Sequence, residues 1–401
     1  MNPARTVVTA LARRIRGGTV VVSEDGDVET FGSDPSREVA VDVVDPRAWR
    51  ATLRDGSTGL GDGYEAGWWT TDDLVGLLRV LVASTAPLDD LRNRIHSMSG
   101  PVGDAIRRVR RTDPRRDRQN IAAHYDLSND FFSLFLDETM TYSAGVFASP
   151  EVSLRAAQEH KIDRLLAKLD VGADDHLLEI GTGWGGLSIR AVETTDARVT
   201  TTTISREQAD LARKRIAARG LTERIDLIEV DWRNLTGIHD KLVSVEMIEA
   251  VDWRDHDAFF TTCARLVKPE GLVGIQAIVI ADDRFERAKV THDFIKRRIF
   301  PGGCLASVSS MTVSAASAGL RLVDLEDLGG HYAETLARWR DRLLARADEV
   351  ADLGLPSGLL RRFEFYLAYC EAAFAERHVS VVQAVFARDG WRPGTVGTRP
   401  V

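Results

Sequence analysis

Residues 177–188 read LLEIGTGWGGLS, an apolar run carrying one acid and then four glycines, Gly181, Gly183, Gly185 and Gly186, within six positions. A strand that runs straight into glycines permits positive φ and lets the backbone approach a neighbour more closely than side chains would allow. On either side of it, apolar strands alternate with amphipathic helices. In order these are HLLEI, a helix over 186–194, RVTTTTI, a helix over 205–219, IDLIEV, LVSVEMI, a helix over 255–267, and LVGIQAIVI. This alternation predicts a doubly wound α/β sheet of largely parallel strands, in which the first βα turn forms part of the ligand crevice.

The ligand class narrows by elimination. The glycine turn is not followed by Gly-Lys-Ser/Thr, so it is not a triphosphate loop. A dinucleotide site would place an acid about 20 residues further on, at the end of the second strand. That strand instead ends in hydroxyls, RVTTTTIS. Glu179 ahead of the glycines, in an E-x-G-x-G turn, resembles the first motif of class I S-adenosylmethionine (SAM) methyltransferases.

The 401 residues, 44% of them hydrophobic, suffice for one large domain or two ordinary ones. The three cysteines, Cys263, Cys304 and Cys370, are scattered and lack metal spacing, so no zinc site or disulfide framework is expected, and a reducing cytoplasm fits. No apolar stretch approaches the ~18 residues of a spanning helix. A net charge of −8 argues against a nucleic-acid partner. The charge is uneven, because RRVRRTDPRRDR at 107–118 holds seven arginines against two aspartates. It reads either as a solvated linker or as a contact with an anionic membrane surface, where each cation near the bilayer contributes roughly 1 kcal/mol. The expected division is an N-terminal lipid- or membrane-associated α+β domain over 1–105, an arginine-rich linker over 106–119 and a catalytic domain over 120–401. In the first of these, Thr71 before Asp72 and Asp73 is the expected N-cap of a helix in TTDDLVGLLRVLVAS.

Five stretches together carry a narrower resemblance: NIAAHYDLSNDFFSLFLDETMTYSAGVF, LLEIGTGWGGLSIRA, TTISREQ, FIKRRIFPGGCL and HYAETLARW. They resemble the cyclopropane-fatty-acid synthase family, which includes mycolic acid cyclopropane synthases and fatty-acyl methyl-branching enzymes. The resemblance implies a SAM-dependent methyltransferase acting on a cis double bond in an acyl chain, usually of a membrane phospholipid, at the inner face of the cell membrane. By matched position it places Tyr142, Ser143, Gly181 and Gly183 around the methionine end of SAM, with Glu179 in the same turn. Thr203 and Gln208 would reach ribose and methionine groups, and Asp231 and Trp232 the adenine. His124 would orient the loop over SAM or serve only structurally. The resemblance also allows a homo-oligomer.

An alkene is a weak nucleophile, so catalysis should rest on alignment in a dry site. Methyl transfer leaves a carbocation that aromatic faces can stabilise, with Tyr142, Tyr332, Phe365, Tyr366 and Tyr369 as candidates. The tract FEFYLAYCEAAF at 363–374 reads as core or as the wall of an acyl tunnel. In the family a bicarbonate ion takes the final proton, held by a Cys, a Glu, a His, a backbone group and a Tyr. The matched positions here are Ala144, Glu249, Gln276, Ile278 and Tyr332. Two polar ligands have changed, which counts against bicarbonate and against ring closure. Glu249 is then either the base or an orienting residue. If proton loss is delayed, a hydride shift precedes it and the product is a methylene branch, which a separate reductase could convert to a methyl branch. The alternatives are a cyclopropane product or a non-catalytic lipid-binding protein on a methyltransferase scaffold.

Overall fold

A computed structural model describes residues 2–84 and 128–393. The arginine run and His124 lie outside the described residues. Contacts divide the chain into two units: Met1–Asn120, Val290–Gly302 and Tyr332–Val379 form the first, and Ile121–Lys289, Gly303–His331 and Ser380–Val401 the second. This differs from the sequential division expected, because two later segments fold with the N-terminal one.

The first unit holds a four-stranded sheet in the order β2-β1-β3-β4, with β1 Thr19–Glu24, β2 Asp27–Gly32, β3 Glu38–Val43 and β4 Trp69–Thr70. The helices Ser57–Glu65 and Leu74–Ala83 pack against the helix Leu359–Ala375. That packing explains the non-sequential division, since the FEFYLAYCEAAF helix buries Phe363, Phe365 and Leu367 within this unit. Phe365 lies 4.8 Å, centroid to centroid, from Phe294 and 5.9 Å from Tyr64. Its neighbours make Phe365 a core residue of the first unit.

The helix Leu74–Ala83 is capped by Asp73, whose Oδ1 accepts from Gly76 N at 2.7 Å. The expected cap, Thr71, lies too far upstream; its hydroxyl donates to Ala40 O at 2.6 Å and ties the chain to β3 instead.

The second unit contains a seven-stranded sheet ordered β10-β11-β9-β8-β5-β6-β7. Its strands are β5 His176–Ile180, β6 Arg198–Thr202, β7 Ile225–Ile228, β8 His239–Val245, β9 Val267–Ile280, β10 Arg321–Asp327 and β11 Val379–Ala387. β5 through β9 pair in parallel, and β10 runs antiparallel to β11. Leu178 and Ile180 join Phe259 and Phe260 in one apolar cluster, while Leu177 joins Leu165, Leu187 and Ile189 in another. A parallel strand covered on both faces must be apolar at successive positions, which is why HLLEI reads as a continuous run.

The order also locates the crevice. From β5 the chain proceeds outward to β6 and β7, then returns to the other side of β5 as β8. Ligands of open α/β sheets bind at such a reversal, outside the carboxyl ends of the strands. Here the reversal places the turn after β5 beside the turn after β8.

Candidate active site

Each glycine after β5 has its own task. Gly181 (φ +103°), Gly183 (φ +50°) and Gly185 (φ +84°) adopt conformations that disfavour other residues. A Cβ on Gly181 would lie 3.2 Å from Met247 in the turn after β8, whereas a Cβ on Gly183 would meet nothing within 4 Å. Gly186, the first residue of the helix Gly186–Thr195, admits a neighbouring loop: its Cβ would lie 2.7 Å from Thr141 Oγ1 and 2.8 Å from Thr139 O. Of the four, Gly183 alone leaves open space where a Cβ would stand, while Gly181 and Gly186 admit close neighbours and Gly185 lies in ordinary contact with Ala212.

The loop at Gly186 carries Thr141, Tyr142 and Ser143. Arg215 fastens it to the glycine turn, donating to Trp184 O at 2.6 Å and to Glu138 O and Thr139 O at 2.9 Å. Burial brings its guanidinium down to about 10. Tyr142 packs its ring 5.4 Å from that of Phe132. Ser143 is buried, with its hydroxyl accepting from Lys161 Nζ at 2.6 Å and its carbonyl from Gln158 Nε2 at 2.7 Å.

The other expected cofactor residues line the carboxyl ends of β5, β6 and β7. Glu179 is buried and accepts from Ser188 Oγ and from Thr201 Oγ1, the latter at 2.6 Å; burial pushes its carboxyl up to about 7. Thr203 Oγ1 donates to Gln208 Oε1 at 3.2 Å, bringing those two residues together. Asp231 is buried and accepts from Arg233 N at 3.0 Å. Trp232 packs edge-on against Phe259 at 5.4 Å, with the Arg233 guanidinium 4.7 Å from its ring centroid.

Around the turn after β8, four of the five matched catalytic positions converge. Glu249 Oε1 accepts from Ile278 N at 2.5 Å. Its Oε2 is shielded from water and has no hydrogen-bond partner among the described residues. Burial, reinforced by the nearby charge of Glu246, pushes the Glu249 carboxyl up to about 8. The fully buried Gln276 donates to Glu246 Oε1 at 2.8 Å and to Ala144 O at 3.3 Å, and its own Oε1 accepts from Gln383 at 3.1 Å. Ala144 N also donates to Glu246 Oε1, at 2.9 Å. The fifth position, Tyr332, belongs to the first unit, where its ring lies 4.5 Å from Phe374.

Sequence reasoning missed Glu246, Lys161, Gln383 and Arg215. Glu246 had a signal, since it sits three residues before Glu249 in EMIEAV, but nothing in the spacing says that its backbone turns to φ +49°. The other three are charged or amide positions on a strand and helices, whose burial depends on tertiary neighbours.

The family model described as mycolic acid cyclopropane synthetase matches residues 112–384. The chain belongs to this family. Tuberculostearic acid methyltransferase UfaA1 of Mycobacterium tuberculosis is 40% identical over 97% of this chain and 93% of its own. The cyclopropane-fatty-acyl-phospholipid synthase of Escherichia coli K12 is 32% identical over 86% of this chain and 87% of its own. Among solved structures, mycolic acid cyclopropane synthase CmaA1 complexed with SAH and CTAB superposes with a TM-score of 0.63 at 31% identity, covering 68% of this chain and 98% of that one. The protein is therefore a SAM-dependent C-methyltransferase of the cyclopropane synthetase family, with a class I methyltransferase fold. The non-catalytic alternative is set aside. No helix among the described residues is long and apolar enough to cross a membrane.

The crevice residues fit the cofactor. The space at Gly183 that a Cβ would enter, the buried hydroxyl of Thr203 and the buried carboxylate of Asp231, itself paired with Arg233 at 3.1 Å, form a polar cradle suited to a cationic sulfonium and a ribose. They do not fit bicarbonate. Ala144 N, both hydrogens of the Gln276 amide and Ile278 N are already committed to the protein's own acceptors.

Proposed function

We propose that this methyltransferase acts on the cis double bond of an unsaturated acyl chain in a membrane phospholipid and releases a methylene-branched product, for a separate reductase to convert to a methyl branch. SAM would supply an electrophilic methyl group on a positively charged sulfur. Tyr142, Ser143, Gly181 and Gly183 would hold its methionine end, Thr203 and Gln208 its ribose and methionine groups, and Asp231 and Trp232 its adenine. Glu179 supports the same turn from within the sheet, through Ser188 and Thr201. The arginine run at 107–118 is the feature proposed to meet an anionic membrane surface.

The observation that carries this reading is the solvent-shielded Oε2 of Glu249, unpartnered among the described residues, at the switch point between β5 and β8. A carboxylate held dry beside the cofactor turn can take a proton from a cationic chain: a C–H bond breaks, its electron pair becomes the new C=C, and the proton passes to Oε2. With Ala144 and Gln276 in place of the family's Cys and His, no ion drawn from solution is held against the new methyl group. That arrangement gives a hydride time to shift before the proton leaves. The name of the 40%-identical relative, a methyltransferase rather than a cyclopropane synthase, supports the same product.

The test is incubation with methyl-labelled SAM and oleoyl-phospholipid vesicles, followed by NMR of the released fatty acids, because the two products gain the same mass. Exocyclic methylene signals are expected. A cyclopropane signal would overturn the product assignment.

A further inference from the structure

An enzyme that borrows an anion from solution must keep hydrogen-bond donors free to receive it. Here the matched donors are closed by carboxylates of the chain. Glu246 Oε1 takes both Ala144 N, at 2.9 Å, and Gln276 Nε2, at 2.8 Å. A primary amide has two N–H donors, and the second of Gln276 is spent on Ala144 O at 3.3 Å. Gln383 holds the other end of that amide at 3.1 Å, which fixes its orientation.

Glu246 is built to stay in this place. Its φ of +49° is a left-handed conformation that costs a non-glycine residue roughly 1 kcal/mol, and its own N–H donates to Gln276 O at 2.8 Å. Strain of this kind persists only where surrounding bonds hold it. The buried ammonium of Lys161 is close enough for Glu246 to act on it electrostatically, so the site has its own countercharge.

We propose that Glu246 is a built-in substitute for the bicarbonate ion that the family resemblance implies: its carboxylate fills the anion seat formed by Ala144 and Gln276, and methyl transfer proceeds without any ion from solution. Its fixed charge beside Glu249 also makes the latter a stronger base, a positioning role distinct from touching the substrate. The inference rests on the acyl-methylation reading but not on which product forms.

Two measurements test it. First, total transfer of labelled methyl into lipid is compared in bicarbonate-depleted buffer and with bicarbonate added back. The wild-type rate should be unchanged, and stimulation of about fivefold or more would overturn the proposal. Second, carbon-13 NMR of labelled bicarbonate is followed as protein is added, a readout that needs no turnover. Wild type should leave the signal unperturbed. Glu246→Gly should reopen the seat, show saturable bicarbonate binding, lose roughly 10²-fold in rate and regain part of it when the ion is supplied. Saturable binding to wild type would sink the idea. Titration with SAM confirms that Glu246→Gly still folds, and the isosteric Glu246→Gln, which should slow turnover without creating an ion site, replaces it if it does not. If no lipid is methylated at all, the proposed substrate is wrong while the NMR result still decides the role of Glu246.

Discussion

Lys161 Nζ donates to Ser143 Oγ at 2.6 Å in surroundings where neither side chain reaches water. A single hydroxyl replaces little of the hydration an ammonium loses, so burial brings this lysine down to about 8 despite the pull of Glu246, Asp137 and Glu179. The sign of the stability effect follows. Below about pH 8 both folded and unfolded chains carry the charge and the burial cost is fully present. Between there and the ordinary lysine value the unfolded chain binds more protons, so stability rises with pH. Relative to Lys161→Met, the wild type should therefore gain about 2 kcal/mol between pH 7.5 and 9.5. Urea denaturation at the two pH values measures it, and parallel curves would show that the folded lysine keeps its proton across that range and that burial has not brought it down.

Glu249 predicts the opposite slope. Its carboxyl is pushed up to about 8, so the neutral form is favoured in the fold, and the stability this provides is lost as pH rises from the ordinary glutamate range through about 8. Activity should move the other way, because only the ionised form can accept a proton: kcat should climb up to about pH 8 and then level. Glu249→Gln should flatten both trends and cost roughly 10²- to 10⁴-fold in kcat, with SAM affinity by calorimetry unchanged. A variant that retains the pH dependence would assign the base elsewhere.

The contrast between these two residues explains what the sequence could disclose. β5 is legible in HLLEI because both faces of a central parallel strand are covered, and Glu249 became a candidate through its matched motif. Lys161 sits in the helix Leu154–Lys168 among Glu159, Asp163 and Arg164, where local composition resembles a solvated face; only the loop carrying Ser143 makes it an interior residue. The helix Ser57–Glu65 was hidden for a related reason. Its Gly59, Gly61 and Gly63 look like a loop, yet a Cβ on Gly61 would lie 2.5 Å from the Phe294 ring, more than two hundred residues away in the chain. Glycine there admits a neighbour that no local pattern announces.

The two kinds of glycine in the cofactor turn can be separated by experiment. At Gly183 a methyl group would enter open crevice, with a conformational cost of about 1 kcal/mol for φ +50°. Gly183→Ala should therefore weaken SAM binding by about tenfold or more while lowering the melting temperature only slightly. At Gly186 the same methyl would press on Thr141 Oγ1 and Thr139 O, at 2.7 and 2.8 Å. Gly186→Ala should destabilise the fold by about 1–3 kcal/mol, as overpacking does, and disturb the Tyr142 loop with it. Calorimetry with SAM and thermal denaturation of both variants provide the comparison. Equal effects on both readouts would mean that Gly183 has no role in the crevice.

Arg215 joins that loop to the glycine turn, and its geometry makes a sharper demand than charge alone. One guanidinium reaches three carbonyls, those of Trp184, Glu138 and Thr139, from two different nitrogens. A lysine has the charge but ends in a single nitrogen on a flexible stem, so it cannot span the same three acceptors. Arg215→Lys should therefore behave nearly as badly as Arg215→Ala, each losing about 2 kcal/mol of stability for charge-assisted hydrogen bonds to backbone. Because the bonds join the Tyr142 loop to the glycine turn, SAM affinity should fall in parallel, with KM for SAM rising more than kcat falls. If Arg215→Lys retained wild-type stability and KM, charge alone would suffice and the fork would not be what holds the Tyr142 loop over the cofactor turn.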